Sequence, residues 1–119
     1  MAVTFVRSIP ANGARNVSLT PVIQTFFDKN VVNDSVWENN REEFDLVRNE
    51  IIIPINVTRI PDTVDFDRRR EIFIQPVNSL RPNTSYGLVI KKNLTSKSGE
   101  TLGKQIRISF TTRGITPEE

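Results

Sequence analysis

The chain has 119 residues, 37% of them apolar and 25% charged, with a net charge of +2. This is the size and balance of one ordinary globular domain, without a strong signal for a polyanionic partner. It contains no cysteine and no histidine, which excludes disulfides, thiolate nucleophiles, sulfur-ligated metals and the commonest general base and transition-metal ligand.

Short alternating segments dominate the chain. The first is "VTFVRSI" at 3–9, closed by the turn "PANG" at 10–13. In "PVIQTFFD" the residues Ile23, Thr25 and Phe27 share one face. "NDSVWENNREEF" at 33–44 has no period of two, and Ser35 followed by Glu38 fits a capping box. A short helix is predicted there, bridging two strands across the sandwich end and turning Val36, Trp37 and Phe44 inward. "FDLV" is a short strand. "IIIPINVTRI" puts Ile51, Ile53, Ile55 and Val57 on one face. After the charged turn "PDTVDFD", the segment "EIFIQP" sets Ile72 and Ile74 together. "SYGLVIKK" does the same for Tyr86, Leu88 and Ile90, and "KQIRISFTTR" for Ile106, Ile108 and Phe110. A period of two in β-branched and aromatic residues is the mark of a half-buried strand. The predicted fold is an all-β, Greek-key sandwich of about seven strands with one short helix. The chain reads as a single domain over 1–119, with its core at about 3–113.

"LRPNTSY" at 80–86 stands where such a fold turns a corner between sheets. A tyrosine opening the next strand packs its ring in the core and returns its hydroxyl to the corner backbone. Leu80 then fills the core beneath, Pro82 fixes the bend and Tyr86 supplies the hydroxyl, a structural staple rather than a binding motif.

These pieces together resemble the bacterial immunoglobulin-like domains of S-layer and other multidomain envelope proteins. The resemblance runs from "SIPANGARNVSLTPVIQTFFDKNV" through "SVWENNREEFDLV" and "IFIQPVNSLRPNTSYGLVI" to "LTSKSGETLGKQIRISFTT". It implies an Ig-like sandwich and a non-catalytic module of an exported surface protein, extracellular or at the cell surface, acting as a spacer or interaction unit. Its partners would be neighbouring domains of a longer chain. The sequence departs from that pattern at Ser96, where such domains often carry an aspartate, and in the charged segment "PDTVDFDRRRE". The first departure weakens a calcium turn carried over from relatives.

Little catalytic chemistry is visible. No "GxSxG", "SxxK" or phosphate loop occurs, so the chain is not read as an enzyme and no cofactor is assigned. Asp62, Asp65, Asp67 and Glu71 alternate with Arg68, Arg69 and Arg70 in what reads as a solvated hairpin tip. Calcium could take oxygen ligands from these acids, or from Asp28, Asn33 and Asp34, but neither group has an EF-hand spacing. Two binding surfaces are candidates. Trp37 would stack on a sugar if exposed, and is a core plug otherwise. Lys91, Lys92, Lys97, Lys104 and Arg107 gather on or between the last two strands. They read as guards of a sheet edge, or as a patch for anionic cell-wall polysaccharide. No aromatic residue interleaves with them, so nucleic acid is not a predicted partner. No apolar run suggests membrane insertion, and the isolated domain is read as a monomer. The alternatives to a spacer are thus a carbohydrate or wall-polymer binding module, and an accessory domain of a secreted hydrolase.

Overall fold

The computed structural model describes residues 2–115. The tail at 116–119, whose "TPEE" suggests the start of a linker, lies outside the described residues. Nine strands form among those residues, rather than about seven. Two breaks account for the difference, because at each the chain passes from one sheet to the other. The N-terminal run becomes β1 (Phe5–Ile9), and the segment after the 10–13 turn, where no strand is predicted, becomes β2 (Ala14–Val17). The isoleucine run becomes β5 (Ile51–Ile53) and β6 (Ile55–Thr58), with Pro54 between them. Proline has no N–H to give to a ladder, so pairing breaks there and the chain can change partners.

The other strands are β3 (Ile23–Phe27), β4 (Phe44–Arg48), β7 (Glu71–Pro76), β8 (Ser85–Ile90) and β9 (Ile106–Thr112). One sheet has four strands in the order β1-β3-β7-β6; the other has five, in the order β2-β9-β8-β4-β5. Their strand pairs are antiparallel, except β2 with β9. The core lies between the sheets. Ile23, Phe27, Ile72 and Ile74 enter it from the first sheet, and Phe44, Leu46, Leu88, Ile90, Ile108 and Phe110 from the second. The alternation of the isoleucine run holds from Ile53 onward. Ile51 shares their parity but is 53% exposed, because it sits beside the β4–β5 turn, beyond the covered part of the core.

The helix α1 (Asp34–Asn40) carries the chain from β3 in one sheet to β4 in the other. Its cap is Asn33 rather than Ser35: the Asn33 side-chain oxygen accepts from Ser35 N at 3.0 Å and from the Ser35 hydroxyl at 2.7 Å. Phe44 lies beyond the helix, at the start of β4. Trp37 and Asn40, three residues apart, face inward together. Around them Val3, Val31, Val32, Leu94 and Leu102 close this end of the core.

Asn40 is fully buried and uses every polar atom it has. Its Nδ2 donates to Val31 O at 2.8 Å and to Thr95 O at 2.7 Å. Its Oδ1 accepts from Thr95 N at 2.9 Å. One side chain thereby joins the helix to the loop that follows β3 and to the loop before β9.

The chain enters at the helix end, where Val3 N donates to Thr101 O at 2.9 Å. It leaves through β9, whose seven residues carry it roughly 23 Å to the opposite end. The longest dimension of the molecule is 50 Å.

Replacing Asn40 with alanine strands the buried Val31 carbonyl and the partly buried Thr95 N–H and carbonyl. Asn40→Ala is therefore expected to cost about 3 kcal/mol in urea unfolding. A loss below about 1 kcal/mol would mean that water replaces the amide without penalty.

Candidate functional site

Leu80, Pro82 and Tyr86 lie at the end opposite the helix. Leu80 is buried, and its N–H donates to Leu19 O at 2.7 Å. The Tyr86 ring stacks on Phe110 with 5.8 Å between centroids, and its hydroxyl accepts from Arg81 N at 2.8 Å. Pro82 O accepts from the Thr84 hydroxyl at 2.8 Å, and Asn83 takes a left-handed conformation with φ 52°. Thr112 completes the corner: its hydroxyl bonds Arg81 O at 2.5 Å and accepts from Thr84 N at 3.0 Å. This use of Thr112 is invisible from the sequence, since its partners lie about thirty residues upstream.

The candidate binding residues separate. Trp37 is 8% exposed, and the guanidinium of Arg59 lies 5.1 Å above its ring. Arg59 is held there by the Val32 carbonyl and by Asp34 at 2.8 Å. Trp37 is thus a core residue with no open ring face for a sugar. The edge-guard reading of the basic residues also fails. β8 and β9 are paired on both sides, and the edges of this sheet are β2 and β5. Lys91 pairs with Asp45 at 3.4 Å, and Lys104 is exposed just before β9.

Arg107 lies elsewhere, on the outer face of the five-stranded sheet, beside a groove of about 520 Å³. Val47, Ser85, Val89 and Ser109 line it, and Gly87, opposite Val47 on β4 and Ser109 on β9, lies under the Arg107 side chain. A Cβ at position 87 would lie 2.5 Å from Arg107 Nη2 and 2.6 Å from its Cζ. The glycine is what lets the guanidinium lie on the sheet. Asn49, Glu50 and Ser85 line the rim. Sequence reading found Arg107 through its charge, but missed Gly87, because only strand register brings the two together.

The acidic candidates are engaged with their own chain. Asp62 Oδ2 accepts from Asn30 Nδ2 and Asn33 Nδ2, each at 2.9 Å. These two bonds, Asn30 first, hold its carboxyl below the usual carboxylate range, helped by Lys97 and Arg59 against a smaller effect of burial. Burial pushes Glu71 up, but hydrogen bonds from Arg68 at 2.9 Å and Gln24 at 2.5 Å outweigh it and leave the carboxyl lowered. Asp28 accepts from Thr4 N at 2.8 Å, and Asp65 from Asp67 N at 3.1 Å. Among the described residues no three acidic side chains gather as a metal site would require.

The sequence model of a family described as "Bacterial Ig-like domain" matches residues 1–112. The chain belongs to this family. Among solved structures, this bacterial Ig-like domain is similar to CopC from Methylosinus trichosporium OB3b, with a TM-score of 0.69 and 13% identity over 96% of each chain. It also resembles surface layer protein SbsC, domains 1–6, with a TM-score of 0.63 and 12% identity. That match covers 98% of this chain and 14% of the S-layer chain. Native α2-macroglobulin from Escherichia coli gives a TM-score of 0.64 at 14% identity, over 98% of this chain and 6% of the other. Identities this low show the fold alone. The chain spans about one-seventh of the S-layer structure it resembles. No curated protein sequence matches it.

Two measurements check this geometry. Tyr86→Phe removes the acceptor for a partly buried N–H and should cost on the order of 1 kcal/mol in denaturant unfolding; no change would mean the hydroxyl contributes nothing to the corner. Asp62 has a folded pKa below its unfolded value. Its contribution is complete above the unfolded pKa, about 4, and is lost as pH falls through the folded value. The wild type should therefore lose stability below about pH 4 more steeply than Asp62→Asn, and parallel profiles would contradict the assignment.

Proposed function

We propose that this Ig-like chain is a non-catalytic spacer or interaction module of a longer bacterial surface protein, extracellular or at the cell surface. It acts as one module over 1–119, with neighbouring domains of the same chain as its partners. Leu80, Pro82 and Tyr86 serve it as a structural staple. The observation that carries this reading is the placement of the two ends. The chain enters beside Thr101 and leaves at the far end of β9, so successive modules extend the chain rather than fold it back. The likeness to parts of much longer chains, an S-layer protein and an α2-macroglobulin, supports the same reading. The absence of cysteine and histidine, together with the engagement of Asp62 and Glu71 by their neighbours, supports a role without catalysis. Sugar stacking on Trp37 loses its residue to the core.

Two copies joined tail to head test the spacer directly. Small-angle X-ray scattering should give a maximum dimension about twice the 50 Å length of one copy. A compact particle in which the copies fold side by side would remove the spacer reading.

A further inference from the structure

The groove beside Arg107 has features that a spacer does not need. Its volume of about 520 Å³ falls within the range of small-ligand sites, roughly 300–1,000 Å³. Two opposite charges border it, Arg107 and Glu50. Among the described residues no hydrogen bond or ion pair engages either side chain. They do not neutralise each other, and both are exposed.

Glu50 is held at the rim by an unusual backbone. Arg48 pairs with Ile51, so Asn49 and Glu50 alone form the turn between β4 and β5. Both are left-handed, with φ 47° and 70°. Such a turn favours glycine at its second position, and a side chain with φ above zero costs roughly 1–2 kcal/mol. The sequence accepts that strain and places a carboxylate there. Strain of this kind gathers at ligand sites.

The charges select the ligand. A purely anionic polymer would meet Glu50, and a purely cationic one would meet Arg107. A neutral sugar finds no stacking ring, because Tyr86 beneath the floor is 2% exposed and turned onto Phe110. A molecule carrying one charge of each sign satisfies both groups. Gly87 lies opposite Val47, one strand spacing of about 4.8 Å away, and Glu50 follows three residues later, round the turn. The charges are therefore on the order of 10 Å apart, the reach of about three extended residues.

We propose that this groove binds a short zwitterionic peptide, its terminal carboxylate on Arg107 and its terminal ammonium on Glu50. The peptide backbone lies over Val47, between the guanidinium that covers Gly87 and the turn, with Asn49, Ser85 and Ser109 within its reach. A guanidinium already resting on the sheet keeps its outer N–H edge for the carboxylate, a charge-assisted contact. The site does not depend on the spacer role: it is formed by β4, β8, β9 and the β4–β5 turn.

The test is an amide chemical-shift titration of the whole chain with trialanine, N-acetyl-trialanine and trialanine amide. Trialanine should saturably shift Val47, Gly87 and Ser109, and blocking either end should weaken binding at least about tenfold, a loss of 1.4 kcal/mol. Arg107→Gln should abolish the preference for a free carboxylate while keeping that for a free amine, and Glu50→Gln should do the reverse. Both side chains are exposed, and an unchanged urea midpoint confirms that each variant folds. Equal shifts from all three peptides, preferences untouched by the variants, or no shift at about 10 mM peptide would each overturn the proposal.

Discussion

Each time the chain passes between the two sheets it leaves the ladders, and its backbone N–H and C=O groups must find other partners. Unpaired, each such buried group costs about 1–3 kcal/mol. This constraint accounts for the polar side chains held at the crossings. At the β3–β4 crossing Asn40 bonds Val31 and Thr95, while Asn30 and Asn33 tie the helix start to Asp62. At the β7–β8 crossing Tyr86 takes Arg81 N–H, and Thr112 takes the Arg81 carbonyl and Thr84 N–H. At the β1–β2 crossing the Asn12 side chain accepts from Ser109 N at 2.9 Å. Among the described residues no buried side-chain polar atom is left without a partner.

The same crossings shape the surfaces. By moving β2 and β5 onto the second sheet, the chain makes it five strands wide and buries β8 and β9 in its middle. The missing side chain of Gly87, in the middle strand of that sheet, leaves room that the Arg107 guanidinium fills, and the groove opens beside it. On the first sheet the outward positions carry Phe26 and Phe73. Arg7 covers the first ring at 3.8 Å and Arg68 the second at 5.3 Å. In the loop between β6 and β7, Arg69 covers Phe66 at 4.1 Å. The arginine run at 68–70 therefore shields aromatic surface as well as solvating a turn.

Local periodicity carried the sandwich. Ile72, Ile74, Leu88, Ile90, Ile108 and Phe110 alternate in the sequence and stand on the core face. The Tyr86 corner was legible too, because its hydrogen bond reaches back only five residues. What escaped was non-local. Pro54 and the turn at 10–13 are visible as breaks, but a break does not say whether the next strand stays in its sheet. Leu94 and Leu102 flank a turn and look incidental until the Leu102 N–H is seen to bond the Leu94 carbonyl at 2.8 Å, which sets both in the core. Asn40 reads as one polar helical residue among several. Gly87 and Arg107 are twenty residues apart and meet only through the register of two strands.

The parallel pair β2–β9 gives the spacer reading a mechanical content. β9 runs from the helix end to the corner end, and β2 runs beside it in the same direction. In a string of modules the N-terminal side is drawn toward the helix end and the C-terminal side toward the corner end. The two strands are then pulled past each other along their length. Gly13 N to Ser109 O at 2.6 Å, Ser109 N to the Asn12 side chain and Arg113 N to Val17 O at 2.9 Å lie across that pull. Bonds perpendicular to a shearing force share the load, whereas a hairpin opened from one end breaks them in turn. An antiparallel pairing of the two terminal strands would have put both chain ends at the same end of the sandwich and lost that resistance. On the proposed spacer role, the passage of the chain from β1 to β2, which sequence periodicity alone does not reveal, would be the step that lets the module lengthen a chain and withstand tension along it.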